Sequence, residues 1–282
     1  PRLTHVLVRQ NGPVSVVMSF EKLPIYNRLL YRRLYRRADC VICQSHAMAH
    51  DLAEGLGIPA DRLAVLPNPV DAEAVLNSID TSRVLWTGPG PHLLAVGRLA
   101  RQKGYELLLP ALAAVRERYP CADLVIAGTG TEEAALKAQC RRLNLDSAVT
   151  FTGYIGQPTV YFLGATAFVL SSWHEGMPNA MLEAAAAGLP IVALPAAGGF
   201  APILRDQPGA WLSPEISEAS LISILLEALA ALRPGERFEH EFLRPFLLEN
   251  AVRGYQNLID FHAGHAPASP SELAETTQGS AL

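Results

Sequence analysis

Apolar residues along this chain fall into two patterns. Short unbroken blocks alternate with longer stretches in which apolar positions recur every three or four residues. The blocks read as buried strands and the spaced stretches as amphipathic helices. Strands are predicted over 3–8, 14–19, 41–44, 63–66, 92–99, 123–127, 148–151, 166–170, 190–194 and 209–212. Helices are predicted over 26–37, 46–55, 104–118, 131–143, 158–164, 178–187 and 217–232, with two further segments near 236–248 and 249–262. Ser45 suits the N-cap of the second helix. Pro178 suits the first turn of the 178–187 helix, and Gly188 with Pro190 stops it. Strands alternating with helices predict an α/β fold of parallel sheets covered on both faces, doubly wound and Rossmann-like. The stretch from Asp71 to Pro91, ending in Gly88-Pro89-Gly90-Pro91, reads as a linker. The last twenty residues, rich in Ala, Ser, Pro and Thr, read as a disordered tail.

Composition narrows the function. The 282 residues allow two domains, and a hydrophobic share of 50% supports a sizeable core. A net charge of −4 implies no general affinity for nucleic acid. No apolar run is long enough to cross a membrane and no signal peptide is visible, so a cytoplasmic location is the default expectation. Cys40 and Cys43 sit on a predicted strand, where residues three apart face opposite ways, and Cys121 and Cys140 stand alone. Buried structural thiols are expected, without a metal site. Gly128-Thr129-Gly130 starts a dinucleotide fingerprint, but Glu133 occupies the third glycine position, which excludes a nicotinamide or flavin enzyme on that motif.

Two segments carry candidate chemistry. In Glu175-Gly176-Met177-Pro178-Asn179-Ala180-Met181-Leu182-Glu183, the first carboxylate precedes a helix and the second lies one to two turns inside it. A helix N-terminus offers free N–H groups suited to phosphate. Glu183 stands among Ala, Leu and Met, so it needs a hydrogen-bonding partner, and a ligand hydroxyl would serve. About seventy residues earlier, Arg98 and Lys103 follow a strand, at the end where open α/β sheets bind ligands. Lysine is scarce in this chain, three against twenty arginines, which singles out Lys103. Arg28, Arg32, Arg33, Arg36 and Arg37 cluster on one helix, a solvated face or a contact for anionic lipid.

Gly97-Arg98-Leu99, Gln102-Lys103-Gly104, Ile126-Ala127-Gly128-Thr129-Gly130, Val149-Thr150-Phe151-Thr152-Gly153 and the Glu-x7-Glu segment together resemble the donor half of the family 4 retaining glycosyltransferases of GT-B fold. Arg37-Ala38-Asp39-Cys40-Val41-Ile42, Ser45 and Leu66-Pro67-Asn68-Pro69-Val70-Asp71 resemble the join between that family's two domains. The resemblance spans about residues 30 to 260. It implies a partial acceptor-side domain and linker over 1–85, a nucleotide-sugar-binding domain over 86–235, helices over 236–262 packing back, and the tail over 263–282. It implies that Arg98 and Lys103 grip a donor diphosphate and replace a divalent metal, so no metal or other cofactor is expected. No Asp-x-Asp occurs. Glu175 would contact donor-sugar hydroxyls, with Gly176, Met177, Pro178 and Asn179 lining the pocket. Glu183 would hold the ribose, Gly128 would line the donor site, and Tyr154 and Ile155 would flank the base. The implied partners are a nucleotide-sugar donor, UDP by analogy, and a glycan or lipid-linked acceptor, with peripheral contact at the inner membrane.

The chain departs from that pattern in two places. Gly198-Gly199-Phe200-Ala201-Pro202 lacks the Glu that often follows two glycines in relatives. Only about seventy residues precede Asn68-Pro69-Val70-Asp71, and the chain opens on Pro1, so a fragment or truncation that binds nucleotide without completing transfer is one expectation. His5 reads as structural, and the Arg9 to Pro13 segment as a stretch that approaches the acceptor. A related GT-B enzyme of other chemistry, such as a sugar-nucleotide epimerase or a phosphorylase, is the other alternative.

Overall fold

The computed structural model describes residues 4–12, 14, 25–82, 84–196 and 200–264. A small sheet holds β1 (Leu7–Arg9), β2 (Cys40–Cys43) and β3 (Leu63–Val65), all parallel in that order. Helices α1 (Ile25–Tyr35) and α2 (His46–Leu56) connect them. Ser45 caps α2 by accepting from Met48 N at 3.2 Å. The strand alternation of β2 sorts its residues: Val41 and Cys43 pack against α2, while Cys40 and Ile42 face the other way.

The larger sheet holds β4 (His92–Val96), β5 (Asp123–Ala127), β6 (Val149–Gly153), β7 (Ala167–Leu170), β8 (Ile191–Ala193) and β9 (Ala210–Leu212). Its spatial order is β6-β5-β4-β7-β8-β9, parallel throughout. That is the doubly wound order, in which the chain starts at the centre and reverses direction between β4 and β7. Both faces are buried, which explains the unbroken apolar blocks. Leu93, Ala95, Leu124, Ile126 and Val169 pack under α4 (Tyr105–Arg118), α5 (Glu133–Arg142) and α8 (Glu218–Ala231). Leu94, Val125, Phe168 and Leu170 pack on the opposite face under α6 (Asn179–Ala186) and α7 (Ala201–Leu204). Helix α9 (Leu248–His262) returns to the small sheet, where Leu258 and Tyr255 meet Cys40, Ile42, Ala64 and Leu66. Leu248 N donates to Val70 O and Val70 N to Phe246 O, stitching that return.

Several expectations need correction. The supposed linker contains a six-residue helix, α3 (Ala72–Asn77), because Asp71 caps it by accepting from Ala74 N at 2.9 Å. The 92–99 strand stops at Val96, and Arg101–Lys103 forms a 3₁₀ turn ended by Gly104 in the left-handed conformation (φ 62°). Of the predicted 236–248 helix only Glu241–Phe246 is helical, as a 3₁₀ segment, with Pro245 inside it removing one backbone donor. The 158–164 helix is likewise a 3₁₀ turn, Pro158–Tyr161, and Pro178 caps α6 from outside its first turn. Cys121 is exposed, unlike Cys40, Cys43 and Cys140, because it lies in the turn before β5. Of the predicted 14–19 strand only Val14 is described, and it is helical and buried. Leu3, Gly198, Gly199 and the tail beyond Gly264 lie outside the described residues. No described helix is long and apolar enough to cross a membrane.

Candidate functional site

The reversal between β4 and β7 sends their following helices to opposite faces, which opens a crevice at the carboxyl ends of the two strands. Gly97, Arg98 and the 3₁₀ turn leave β4, and Ser171 through Pro178 leave β7. The two loops are stitched together. Ser171 Oγ donates to Lys103 O at 2.8 Å, Trp173 N to Gln102 O at 2.9 Å, and Gln102 Nε2 to His174 O at 3.0 Å. Two residues seventy-two positions apart thereby meet: Lys103 Nζ donates to Glu175 Oε1 at 2.7 Å. Ser172 Oγ donates to the same oxygen at 2.6 Å, and Glu175 is 4% exposed.

A cavity of about 690 Å³ lies over this pair. Arg98, Lys103, Glu175, Gly176, Met177, Pro178 and Asn179 all line it. The small sheet supplies the facing wall through Arg9, Asn11 and Gln44 at the carboxyl ends of β1 and β2. A hydrogen-bond chain bridges the two sides: Arg9 Nη2 donates to Asn68 Oδ1, and Asn68 Nδ2 donates to Asn179 Oδ1 at 2.6 Å. Arg98 is exposed, with its guanidinium 3.5 Å from Gln102 Oε1. The lining therefore carries three cationic side chains against one carboxylate, a balance suited to an anionic ligand.

Glu183 lines a second cavity of about 320 Å³, which shares Pro69 and Asn179 with the first. Asp71, Ser78 and residues 156–159 complete it. Burial pushes the Glu183 carboxyl above the usual carboxylate range, and the group has no hydrogen-bond or ion-pair partner among the described residues. Burial lowers the His174 imidazole; Glu175 beside it pulls upward and Lys103 downward.

Three expected residues stand elsewhere. Tyr154 is 82% exposed, and neither it nor Ile155 lines either of these two cavities; their neighbours Gly156, Gln157, Pro158 and Thr159 line the second. Gly128 lines neither cavity and instead packs against the Gly97 carbonyl, where a Cβ would come within 2.0 Å. Sequence reasoning missed Ser172 and Gln44. Both directly follow or lie just beyond the carboxyl end of a strand, and that position was their one available signal. Among the described residues no group of three or more His, Cys, Asp or Glu side chains is placed to hold a metal ion.

This chain is similar to known proteins over most of its length. The family profile described as glycosyl transferases group 1 matches residues 90–231, and that of Glycosyltransferase Family 4 matches residues 15–74. A glycogen synthase of Mycobacterium tuberculosis is 32% identical over 230 residues, covering 80% of this chain and 53% of that protein. The chain thus spans about half the length of this curated relative. The structure of a sucrose-phosphate synthase from Thermosynechococcus elongatus superposes with a TM-score of 0.75 at 22% identity, over 92% of this chain and 68% of that one. Anabaena HepE, solved in complex with UDP and glucose, superposes with a TM-score of 0.68 at 18% identity, over 99% and 72%. These likenesses establish the fold as GT-B, two parallel-sheet units facing a shared cleft. With half its residues matched by that first profile, the chain belongs to the glycosyl transferases group 1 family.

Proposed function

We propose that this protein is a retaining glycosyltransferase that moves a sugar from a nucleotide diphosphate donor, UDP-linked, to a glycan or lipid-linked acceptor in cell-envelope or exopolysaccharide assembly. The observation that carries this reading is the convergence of Arg98, Lys103 and Glu175 on one cavity at the strand switch point. Arg98 and Lys103 supply the positive charge that a leaving diphosphate needs as the glycosidic bond breaks, an electrostatic contribution that requires no divalent metal. Glu175 accepts from sugar hydroxyls, and the loop Gly176 to Asn179 lines the sugar's side of the cavity. Glu183, unpaired and half-buried next door, accepts from the ribose, which places the base toward residues 154–159. The bound UDP and glucose in HepE support this reading by fold analogy.

The retaining outcome rests on the family resemblance. The cytoplasmic, membrane-peripheral location rests on α1, whose exposed Leu29, Leu30 and Leu34 stand beside exposed Arg32, Arg33, Arg36 and Arg37. Such a face suits an anionic lipid surface, where a lipid-linked acceptor would be met. The deciding experiment incubates the protein with labelled UDP- and GDP-sugars and follows release of nucleotide diphosphate with and without acceptor lipid or glycan. Release from no donor, with no binding of any nucleotide diphosphate, refutes the reading.

A further inference from the structure

Gln44 differs from the other polar residues around the main cavity. It is 6% exposed, yet its carboxamide has no hydrogen-bond or ion-pair partner among the described residues. The amide atoms open on the cavity rather than into the protein interior, where an unpaired polar group would cost free energy. Its neighbours are both anchored: Cys43 ends β2 and Ser45 caps α2, so the backbone that carries the side chain is held in place. It lines the same cavity as Lys103 and Glu175. Across the boundary it faces Gly176, where an added Cβ would lie 2.6 Å from Gln44 Oε1 and 2.8 Å from the Asn11 carbonyl oxygen.

We infer that Gln44 hydrogen-bonds a hydroxyl or acetamido group of the transferred sugar and so helps determine which sugar is accepted. This assignment rests on the glycosyltransferase reading above. A carboxamide is uncharged and both donates and accepts, which matches a hydroxyl or an acetamido group better than a phosphate. The phosphate-type chemistry is already concentrated in Arg98 and Lys103 on the β4 loop. Gln44 instead opposes the Glu175–Gly176 segment, where the sugar is placed in the proposed function. The small sheet thus contributes a neutral reading group to a ligand held mainly by the larger sheet.

Calorimetric titration of UDP, UDP-glucose and UDP-N-acetylglucosamine into wild type, Gln44→Leu and Gln44→Glu tests this. Leucine keeps the approximate volume and removes the amide, and glutamate keeps the acceptor without the donor. UDP affinity is expected to stay within about twofold in all three, which also confirms folding. The sugar nucleotide that wild type binds tightest should weaken about fivefold or more in Gln44→Leu, with Gln44→Glu between the two. Equal sugar-nucleotide affinities in the three proteins, with UDP binding intact, overturn the assignment. A matching loss of UDP and sugar-nucleotide binding in Gln44→Leu also overturns it, since the amide would then shape the cleft. Wild-type protein that binds none of the three ligands overturns the donor reading itself, and the Gln44 assignment falls with it.

Discussion

Lys103 Nζ stands 2.7 Å from Glu175 Oε1, so the cation assigned to the donor phosphates and the carboxylate assigned to the sugar are each other's partner. Their side chains are 17% and 6% exposed, which keeps the pair largely out of water. A diphosphate that draws on Lys103 competes with Glu175, and the freed carboxylate oxygen can then accept from a sugar hydroxyl. Donor binding on this view exchanges one ion pair for two ligand contacts.

Lys103→Ala should therefore have two effects. Losing a charge-assisted phosphate contact of about 1.5–3 kcal/mol weakens UDP binding roughly tenfold or more. Leaving Glu175 buried without its counter-ion lowers stability by about 3 kcal/mol. The double variant Lys103→Met with Glu175→Gln should recover most of the stability and none of the binding. Denaturant melts and calorimetric titration separate the two. Wild-type UDP affinity in Lys103→Ala would contradict the phosphate role.

Glu183 supplies a prediction about pH. Its folded pKa is raised by burial above the unfolded value. Its favourable contribution is present in full below the unfolded pKa and is lost as pH rises through the folded pKa. At neutral pH the half-buried carboxylate is therefore a cost to the free protein. Glu183→Gln should melt higher than wild type near about pH 7.5, and the gain should vanish toward about pH 4. The same change should weaken UDP roughly tenfold, because the ribose loses an anionic acceptor. A variant less stable than wild type at neutral pH, or one with unchanged UDP affinity, would count against this role.

Ser172 can be tested through what it does to Glu175. Ser172 is 1% exposed, and its hydroxyl donates to the carboxylate at 2.6 Å. Ser172→Ala should cost about 1.5–3 kcal/mol of stability, the range for a hydrogen bond to a charged group. UDP affinity should change less than about threefold, while affinity for the matching sugar nucleotide falls further, since Glu175 loses one of the two donors that orient it. Guanidinium melts of the variant, read against titrations with both ligands, check this. Equal losses for both ligands would show that Ser172 supports the whole cleft rather than Glu175.

The alternation of apolar blocks and amphipathic stretches made the larger sheet readable from sequence, because strands buried on both faces leave runs such as Leu93-Leu94-Ala95 and Phe168-Val169-Leu170. The placement of Arg98, Lys103 and Glu175 was readable for a related reason: carboxyl ends of central strands converge whatever the loops do. Their mutual ion pair was not, since nothing in local spacing says which way two side chains turn. Helix α3 escaped because six residues between proline-rich ends carry little periodicity, and only the Asp71 cap announces it. In the predicted 236–248 helix only Glu241–Phe246 turns, as a 3₁₀ segment, and Pro245 within it lacks the N–H that an α-helix would use there. Gln44 belongs to no motif, and its place in the wall opposite Gly176 exists only in the assembled cleft.

At Gly176 the two units approach each other closely beside the candidate site. Its backbone does not require glycine, since its φ lies outside the left-handed region, so an alanine there brings no backbone strain. The obstacle is spatial. The added carbon would meet Gln44 Oε1 at 2.6 Å and the Asn11 carbonyl oxygen at 2.8 Å, and the second of these is backbone that cannot simply rotate away. Gly176→Ala should therefore push the small sheet's wall outward while leaving the core of the larger sheet intact, for a stability loss within about 1–3 kcal/mol. Free UDP, held mainly by Arg98 and Lys103, should bind nearly as before. The sugar nucleotide should lose affinity by about tenfold, because the group that the facing wall must reach moves out of range. Titration of both ligands, with a melting curve for the variant, measures this. If Gly176→Ala binds the sugar nucleotide as tightly as wild type does, the cleft is wider than the contact between Gly176 and Asn11 implies.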